Sequence, residues 1–145
     1  MIVDYNDLEV CQIELTTDCG AGCPQCPRNI YGGKTVEGLP ICQLSLEDIK
    51  NIFPKELIRR LKLVFFCGTY GDPIWAKDIL PVVEWLRKVN PQLEIGLNTN
   101  GSARNEKWWK KCQMFSVIMV MLYSVLMVTR IQITSIEGGQ TTKKL

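Results

Sequence analysis

The chain has 145 residues, a formal net charge of +2 and 46% hydrophobic residues, which fits one modest globular domain without the basic excess typical of nucleic-acid binding. It contains no histidine, so Ser-His-Asp and Cys-His catalysis, histidine-liganded zinc and histidine acid–base chemistry are excluded in their usual forms. The seven cysteines are an odd number, and the N-terminus carries Asp4 and Asp7 rather than a basic, apolar signal sequence. We therefore expect reduced thiols and a cytoplasmic location.

The first predicted strand, Glu9–Leu15, places apolar residues among polar ones and leads into a cysteine-rich loop. In that loop Cys19, Cys23 and Cys26 have the spacing C-x3-C-x2-C. A short loop of this kind can fold back and present its thiolates to one soft metal centre. Three protein ligands leave one metal position open, whereas a structural zinc site or an ordinary iron–sulfur cluster uses four. The pattern therefore predicts a metal centre with an open coordination position.

The other four cysteines are Cys11, Cys42, Cys67 and Cys112. Isolated cysteines in apolar runs, such as Cys11 and Cys67, are typical of small core residues. An alternative remains open, in which Cys67 or Cys42 completes a zinc or electron-transfer site in a non-catalytic metal-binding module. The metal content of the purified protein separates these interpretations.

The middle of the chain predicts a loop, a helix and a buried strand. Residues Arg28–Ile41 are rich in glycine and proline and predict an ordered surface loop. Ser45, with Asp48 three residues later, resembles a capping box and predicts the start of a helix that Pro54 bends or restarts. The continuous apolar run Leu63–Cys67 is typical of a strand buried on both faces of a parallel sheet.

The next segment repeats the same alternation of strand and helix. Asp78 is expected to cap a second helix that Pro91 stops, Leu93–Leu97 predicts a third strand, and Asn105 is expected to cap a third helix. Strands that alternate with helices in this way indicate right-handed βαβ units and a parallel sheet, hence an α/β fold.

Two polar loops follow the second and third predicted strands. In parallel α/β folds, ligands bind beyond the carboxyl ends of the strands, where the cysteine loop would also lie. Each of the two loops alone is also typical of an ordinary turn. Their joint order, one after each successive strand, is much harder to obtain by accident than either loop alone. The residues of the two loops are Gly68, Thr69, Tyr70, Gly71, Asp72, Pro73, Asn98, Thr99, Asn100 and Gly101.

In this order the three stretches resemble the radical S-adenosylmethionine (radical SAM) superfamily, in the N-terminal part of its core domain and in its maturase and cofactor-biosynthesis branches. The signature of that family is a C-x3-C-x2-C loop after the first strand of a partial (β/α) barrel. The resemblance implies that Cys19, Cys23 and Cys26 hold a 4Fe-4S cluster whose fourth iron is chelated by S-adenosylmethionine. Reductive cleavage of that cofactor gives methionine and a 5′-deoxyadenosyl radical.

The resemblance also implies roles for the two later loops. Gly68–Pro73 resembles the "GGE" motif, in which Gly71 and Asp72 match the positions that bind the amino group of S-adenosylmethionine. Asn98–Gly101 resembles the "TNG" segment, which shapes the pocket near the nucleoside and carboxylate. The implied architecture is an incomplete TIM-like barrel of about three to four βα units. The implied partner is a reductant such as a flavodoxin or ferredoxin; no substrate is indicated, and neither nucleic-acid nor membrane binding is evident.

The C-terminal part of the chain does not continue this pattern. Met114–Val128 is densely apolar but shorter than the about 20 residues of a transmembrane helix, which favours a fourth buried strand. We expect a truncated radical SAM core over residues 1–122 and an aberrant tail over 123–145. In a shifted reading frame the codons of Tyr123–Val128 can encode Phe-Ser-Ile-Asp-Gly, which resembles the family's fourth strand. We hypothesise a frameshift before about Leu122, which the nucleotide sequence tests. A third interpretation of the chain is then an inactive product of a truncated gene.

Overall fold

Four parallel strands form one sheet in the order β1-β2-β3-β4. The structure is a computed structural model that describes residues 4–115 and 117–121. Each strand pairs in parallel with the next one along the chain, which confirms the predicted βαβ units. The strands are β1 (Val10–Ile13), β2 (Leu63–Phe66), β3 (Glu94–Thr99) and β4 (Ile118–Met121).

Helices occupy the connections after β1, β2 and β3. They are α1 (Leu46–Ile52), α2 (Lys55–Arg60), α3 (Ile79–Val89) and α4 (Glu106–Met114), with short 3₁₀ turns at Tyr5–Asp7 and Pro73–Trp75. The predicted capping box is confirmed, because the Ser45 side chain accepts from the Asp48 backbone N–H while the Asp48 carboxylate accepts from the Ser45 N–H. Pro54 lacks an N–H and separates α1 from α2, as expected.

The cap of α3 differs from the prediction. Asp78 does precede the first residue of α3, but its side chain makes no capping hydrogen bond to its own helix. Its Oδ2 instead accepts from the backbone N–H of Leu46, 2.9 Å away, in the first turn of α1. Asp78 therefore joins the starts of two helices that are distant in sequence, a role that local capping rules do not reveal. The predicted cap of α4 is confirmed, since Asn105 Oδ1 accepts from the Trp108 N–H at 3.0 Å.

The hydrophobic core lies between one face of the sheet and the layer of helices. Alternate strand residues such as Ile13, Phe66 and Leu97 are buried there among helix residues such as Ile58 and Leu86. Successive side chains of a strand point to opposite faces, so the residues between these project from the other face. A sheet with helices on one face is the expected wall of an α/β barrel, and the predicted α/β fold with a parallel sheet is confirmed.

The fourth strand is also confirmed, in part of the apolar run where it was predicted. β4 runs parallel to β3, and Ile118 at its start is 57% exposed rather than buried. No helix among the described residues is long and apolar enough to cross a membrane. The predicted tail over residues 123–145, its boundary at 122 and the frameshift hypothesis lie outside the described residues.

Candidate functional site

The cysteine loop is shaped by backbone turns and by a close contact with an aromatic ring. The Cys26 N–H donates to the Cys23 carbonyl at 3.1 Å, and the Asn29 side chain donates to the Ala21 carbonyl at 3.2 Å. A Cβ atom placed on Gly20 would lie 2.4 Å from Cζ2 of Trp75. A side chain at position 20 would therefore require the Trp75 ring or the loop itself to move.

The three thiols of this loop are free and partly buried. The Asn100 side-chain amide lies 3.5 Å from Cys19 Sγ, and Cys26 Sγ lies 3.9 Å from the Thr69 carbonyl oxygen. Two of the cysteines thus touch the loops that follow β2 and β3, which is the juxtaposition that the sequence predicts.

The three loops enclose one cavity of about 270 Å³ at the carboxyl edge of the sheet. All of the predicted site residues line it except Pro73, which begins a buried 3₁₀ turn, and Gly101. The cavity is lined by Cys19, Cys23, Cys26, Cys67, Gly68, Thr69, Tyr70, Gly71, Asp72, Asn98, Thr99 and Asn100.

Cys67 is a lining residue for which the sequence left two interpretations open, a small core residue or a fourth metal ligand. It is half-buried and free, and it follows Phe66, whose side chain is fully buried against the helices. Because side chains alternate along a strand, the residue after a helix-facing phenylalanine points to the other side. This alternation is the signal that could have placed Cys67 in the cavity.

Asp72 joins the loop after β2 to the loop after β3. Its carboxylate, in a residue that is 5% exposed, accepts from the Thr99 hydroxyl at 2.7 and 3.0 Å, from the Asn100 N–H at 2.8 Å and from the Ile74 N–H at 3.0 Å. These donors use most of the acceptor capacity of a carboxylate. The implied contact between Asp72 and the amino group of S-adenosylmethionine stays a prediction.

The loop after β2 is also fixed to the end of β1. Glu14, which the sequence reasoning did not single out, accepts from the backbone N–H of Thr69 at 2.9 Å and from its hydroxyl at 2.8 Å. A Cβ atom on Gly71 would lie 1.9 Å from the Thr16 carbonyl oxygen. Glycine is therefore required at position 71 for the two segments to approach this closely.

The guanidinium group of Arg28 holds the cysteine loop and the loop after β2 together. Its Nη1 donates to the carbonyl oxygen of Tyr70 at 3.0 Å and to that of Thr17, and the residue is 5% exposed. These partners lie 42 and 11 residues from Arg28 along the chain, so sequence patterns gave no signal for this contact.

Burial raises the pKa of the Cys19 thiol. The hydrogen bond from the Ala21 N–H to the sulfur lowers this pKa, the negative charge of Asp72 raises it, and the positive charge of Arg28 lowers it. A metal ligand must be the thiolate, so metal binding at Cys19 would release a proton.

The geometry of the thiols bears on the kind of metal centre they suit. Within residues 4–115 and 117–121, no three cysteine, aspartate or glutamate side chains converge closely enough to hold a single metal ion. In an iron–sulfur cluster each thiolate binds a different iron, so its ligands are spread more widely than those of a mononuclear zinc site. Three free thiols in the wall of one cavity are the donor set that an iron–sulfur cluster with one open iron position takes.

Comparisons with known proteins give a relative and a structural neighbour. No protein-family model matches the chain. Over 104 residues it is 30% identical to the GTP 3′,8-cyclase of Aquifex aeolicus (strain VF5), a match that covers 69% of this chain and 30% of the cyclase. Its fold is similar to the crystal structure of BtrN in complex with AdoMet and 2-DOIA, with a TM-score of 0.54 at 16% identity over 74% of this chain and 42% of BtrN. The chain thus spans less than half the length of either protein.

A parallel sheet with three loops around one cavity at its carboxyl edge is the arrangement expected of the wall of an α/β barrel. The cyclase and BtrN are radical SAM enzymes, and the match to the cyclase confirms the resemblance of this chain to the radical SAM superfamily that the three stretches indicate. The likeness to BtrN, at 16% identity, supports the partial TIM-like fold alone.

Proposed function

We propose that Cys19, Cys23 and Cys26 bind a 4Fe-4S cluster and that the adjoining cavity binds S-adenosylmethionine. The observation that carries this proposal is the convergence of the three loops on one cavity with three free thiols in its wall. Three thiolates leave one iron without a protein ligand, and the cavity provides space beside it for a chelating cofactor.

The residues around the cavity would each have a different task. The three thiolates would hold the cluster, and the Asn100 amide beside Cys19 Sγ would donate a hydrogen bond to its sulfur. Thr69 and Asn98, on the loops after β2 and β3, would present polar groups to the cofactor. Asp72 would keep these two loops at a fixed separation through Thr99.

The bound cluster would supply one electron to the sulfonium group of S-adenosylmethionine, giving methionine and a 5′-deoxyadenosyl radical. The protein's contribution is to hold the cofactor against the open iron and to limit access of water. The electron would come from a low-potential donor such as a flavodoxin or ferredoxin in a reducing, cytoplasmic compartment. Because this chain spans 30% of the cyclase and 42% of BtrN, their substrates do not transfer to it.

Anaerobic reconstitution with iron and sulfide tests the cluster assignment. The wild-type protein is expected to bind both and to develop the broad visible absorption of an iron–sulfur cluster. A variant with Cys19→Ala, Cys23→Ala and Cys26→Ala should bind neither, because it lacks every proposed ligand. The matched control replaces Cys11, Cys42 and Cys112 by alanine and should load like the wild type. A spectrum unchanged in the first triple variant would refute the assignment.

The position of Cys67 supports a second candidate, a non-catalytic metal-binding module with four thiol ligands. Cys67 lines the same cavity as the other three cysteines, and a fourth thiolate would close the coordination shell. In contrast, Cys42 is exposed and does not line the cavity. A Cys67→Ser variant separates the two functions: an enzyme site should keep its iron and bind S-adenosylmethionine, whereas the module should lose its metal.

A further inference from the structure

Arg28 is a buried cation whose identified partners are carbonyl oxygens. The residue is 5% exposed, and its Nη1 donates to the backbone carbonyls of Thr17 and Tyr70. Across the part of the chain that the structure describes, no carboxylate lies within ion-pair distance of its guanidinium group. Burial of a charge without a counter-charge is costly. We therefore expect another group to supply negative charge near Arg28.

The surroundings of Arg28 indicate where that negative charge would be. Thr17 immediately precedes the cysteine loop and Tyr70 lines the cavity, so the guanidinium joins the segment leading into the cysteine loop to a loop of the cavity. Arg28 also lies two residues after Cys26, and its partner Thr17 lies two residues before Cys19. Three thiolates around a cluster would place net negative charge next to these two segments.

We propose that Arg28 is the buried counter-charge of the cluster and raises its reduction potential. This inference rests on the proposed function, because it needs the cluster that the three cysteines would hold. On reduction the site would take up one electron from an external low-potential donor, without forming or breaking a bond, and become more negative by one charge. A fixed positive charge at a poorly solvated position stabilises the reduced state more than the oxidised state.

The competing role for Arg28 is mechanical, since the guanidinium also holds two loops together. Lysine at position 28 would keep the charge but lose the planar fork of donors, whereas glutamine would lose the charge and keep some hydrogen bonding. A charge effect and a positioning effect therefore give different results in these two variants.

The test is the midpoint potential of the reconstituted cluster, measured by mediated redox titration with spectroscopic detection. Arg28→Gln is expected to have a more negative potential than the wild type, and Arg28→Lys a potential close to that of the wild type. The matched control is Arg60→Gln, which removes the same charge from an exposed arginine beside Tyr5 and Asn6 at the opposite end of the sheet. That control should leave the potential unchanged.

Each outcome separates this inference from the proposed function. If the wild-type protein binds no iron and sulfide, the proposed function fails. If it forms a cluster and Arg28→Gln has the wild-type potential, the role of Arg28 is refuted while the cluster site stands. Should Arg28→Gln fail to retain iron, Arg28→Lys decides: a loaded cluster with the wild-type potential supports the charge role, and loss of iron in this variant as well refutes it.

Discussion

Asp72 is the residue on which the relative position of two cavity loops depends. Its carboxylate accepts hydrogen bonds from Thr99, Asn100 and Ile74, so it acts in this structure as a link between protein segments. The family resemblance implies a direct contact of this acidic residue with the cofactor. The two roles can be separated, because only the link contributes to the stability of the protein without cofactor.

The Asp72→Asn variant should be less stable than the wild type by about 1–3 kcal/mol, the usual cost of leaving buried hydrogen-bonding groups without partners. The measurement is urea-induced unfolding of the cofactor-free protein. Asp7→Asn, at an exposed position, is the control and should unfold at the wild-type urea concentration. Equal midpoints for Asp72→Asn and the wild type would mean that the link carries no stability.

At the scale of elements, the cysteine loop is held by the segment that follows β2. Trp75 belongs to the 3₁₀ turn Pro73–Trp75 and packs against the backbone of Gly20. The same segment begins with Pro73, directly after Asp72. The segment after β2 therefore both lines the cavity and determines the path of the cysteine loop.

Gly20→Ala is expected to lower the iron and sulfide bound per chain after reconstitution, because its Cβ would lie 2.4 Å from the Trp75 ring and displace the loop. Shortening the opposing side chain should relieve this contact. The double variant Gly20→Ala with Trp75→Ala is therefore expected to bind more iron than Gly20→Ala alone. A double variant that binds no more iron than the single one would show that the ring contact does not position the loop.

At the scale of the whole molecule, local sequence patterns predict the strands, helices and loop positions, but they do not predict contacts between residues that are distant in sequence. The alternation of strands and helices, the Ser45 capping box and the placement of the three loops follow from local patterns and from the geometry of parallel sheets. The contact of Asp78 with Leu46 and that of Glu14 with Thr69 join residues 32 and 55 positions apart, and one chain's pattern gives no signal for such pairs. The position of Cys67 on the cavity side of the sheet is an intermediate case, because the alternation of side chains along β2 is a local signal that could have predicted it.

The proposed cofactor site requires one iron that lacks a protein ligand and faces the cavity. Mössbauer spectroscopy of the ⁵⁷Fe-reconstituted protein, with and without S-adenosylmethionine, tests this most directly. We predict that adding S-adenosylmethionine changes the signal of the iron without a thiolate, while the irons bound to Cys19, Cys23 and Cys26 keep theirs. A spectrum in which every iron is equivalent and none responds to S-adenosylmethionine would contradict the account.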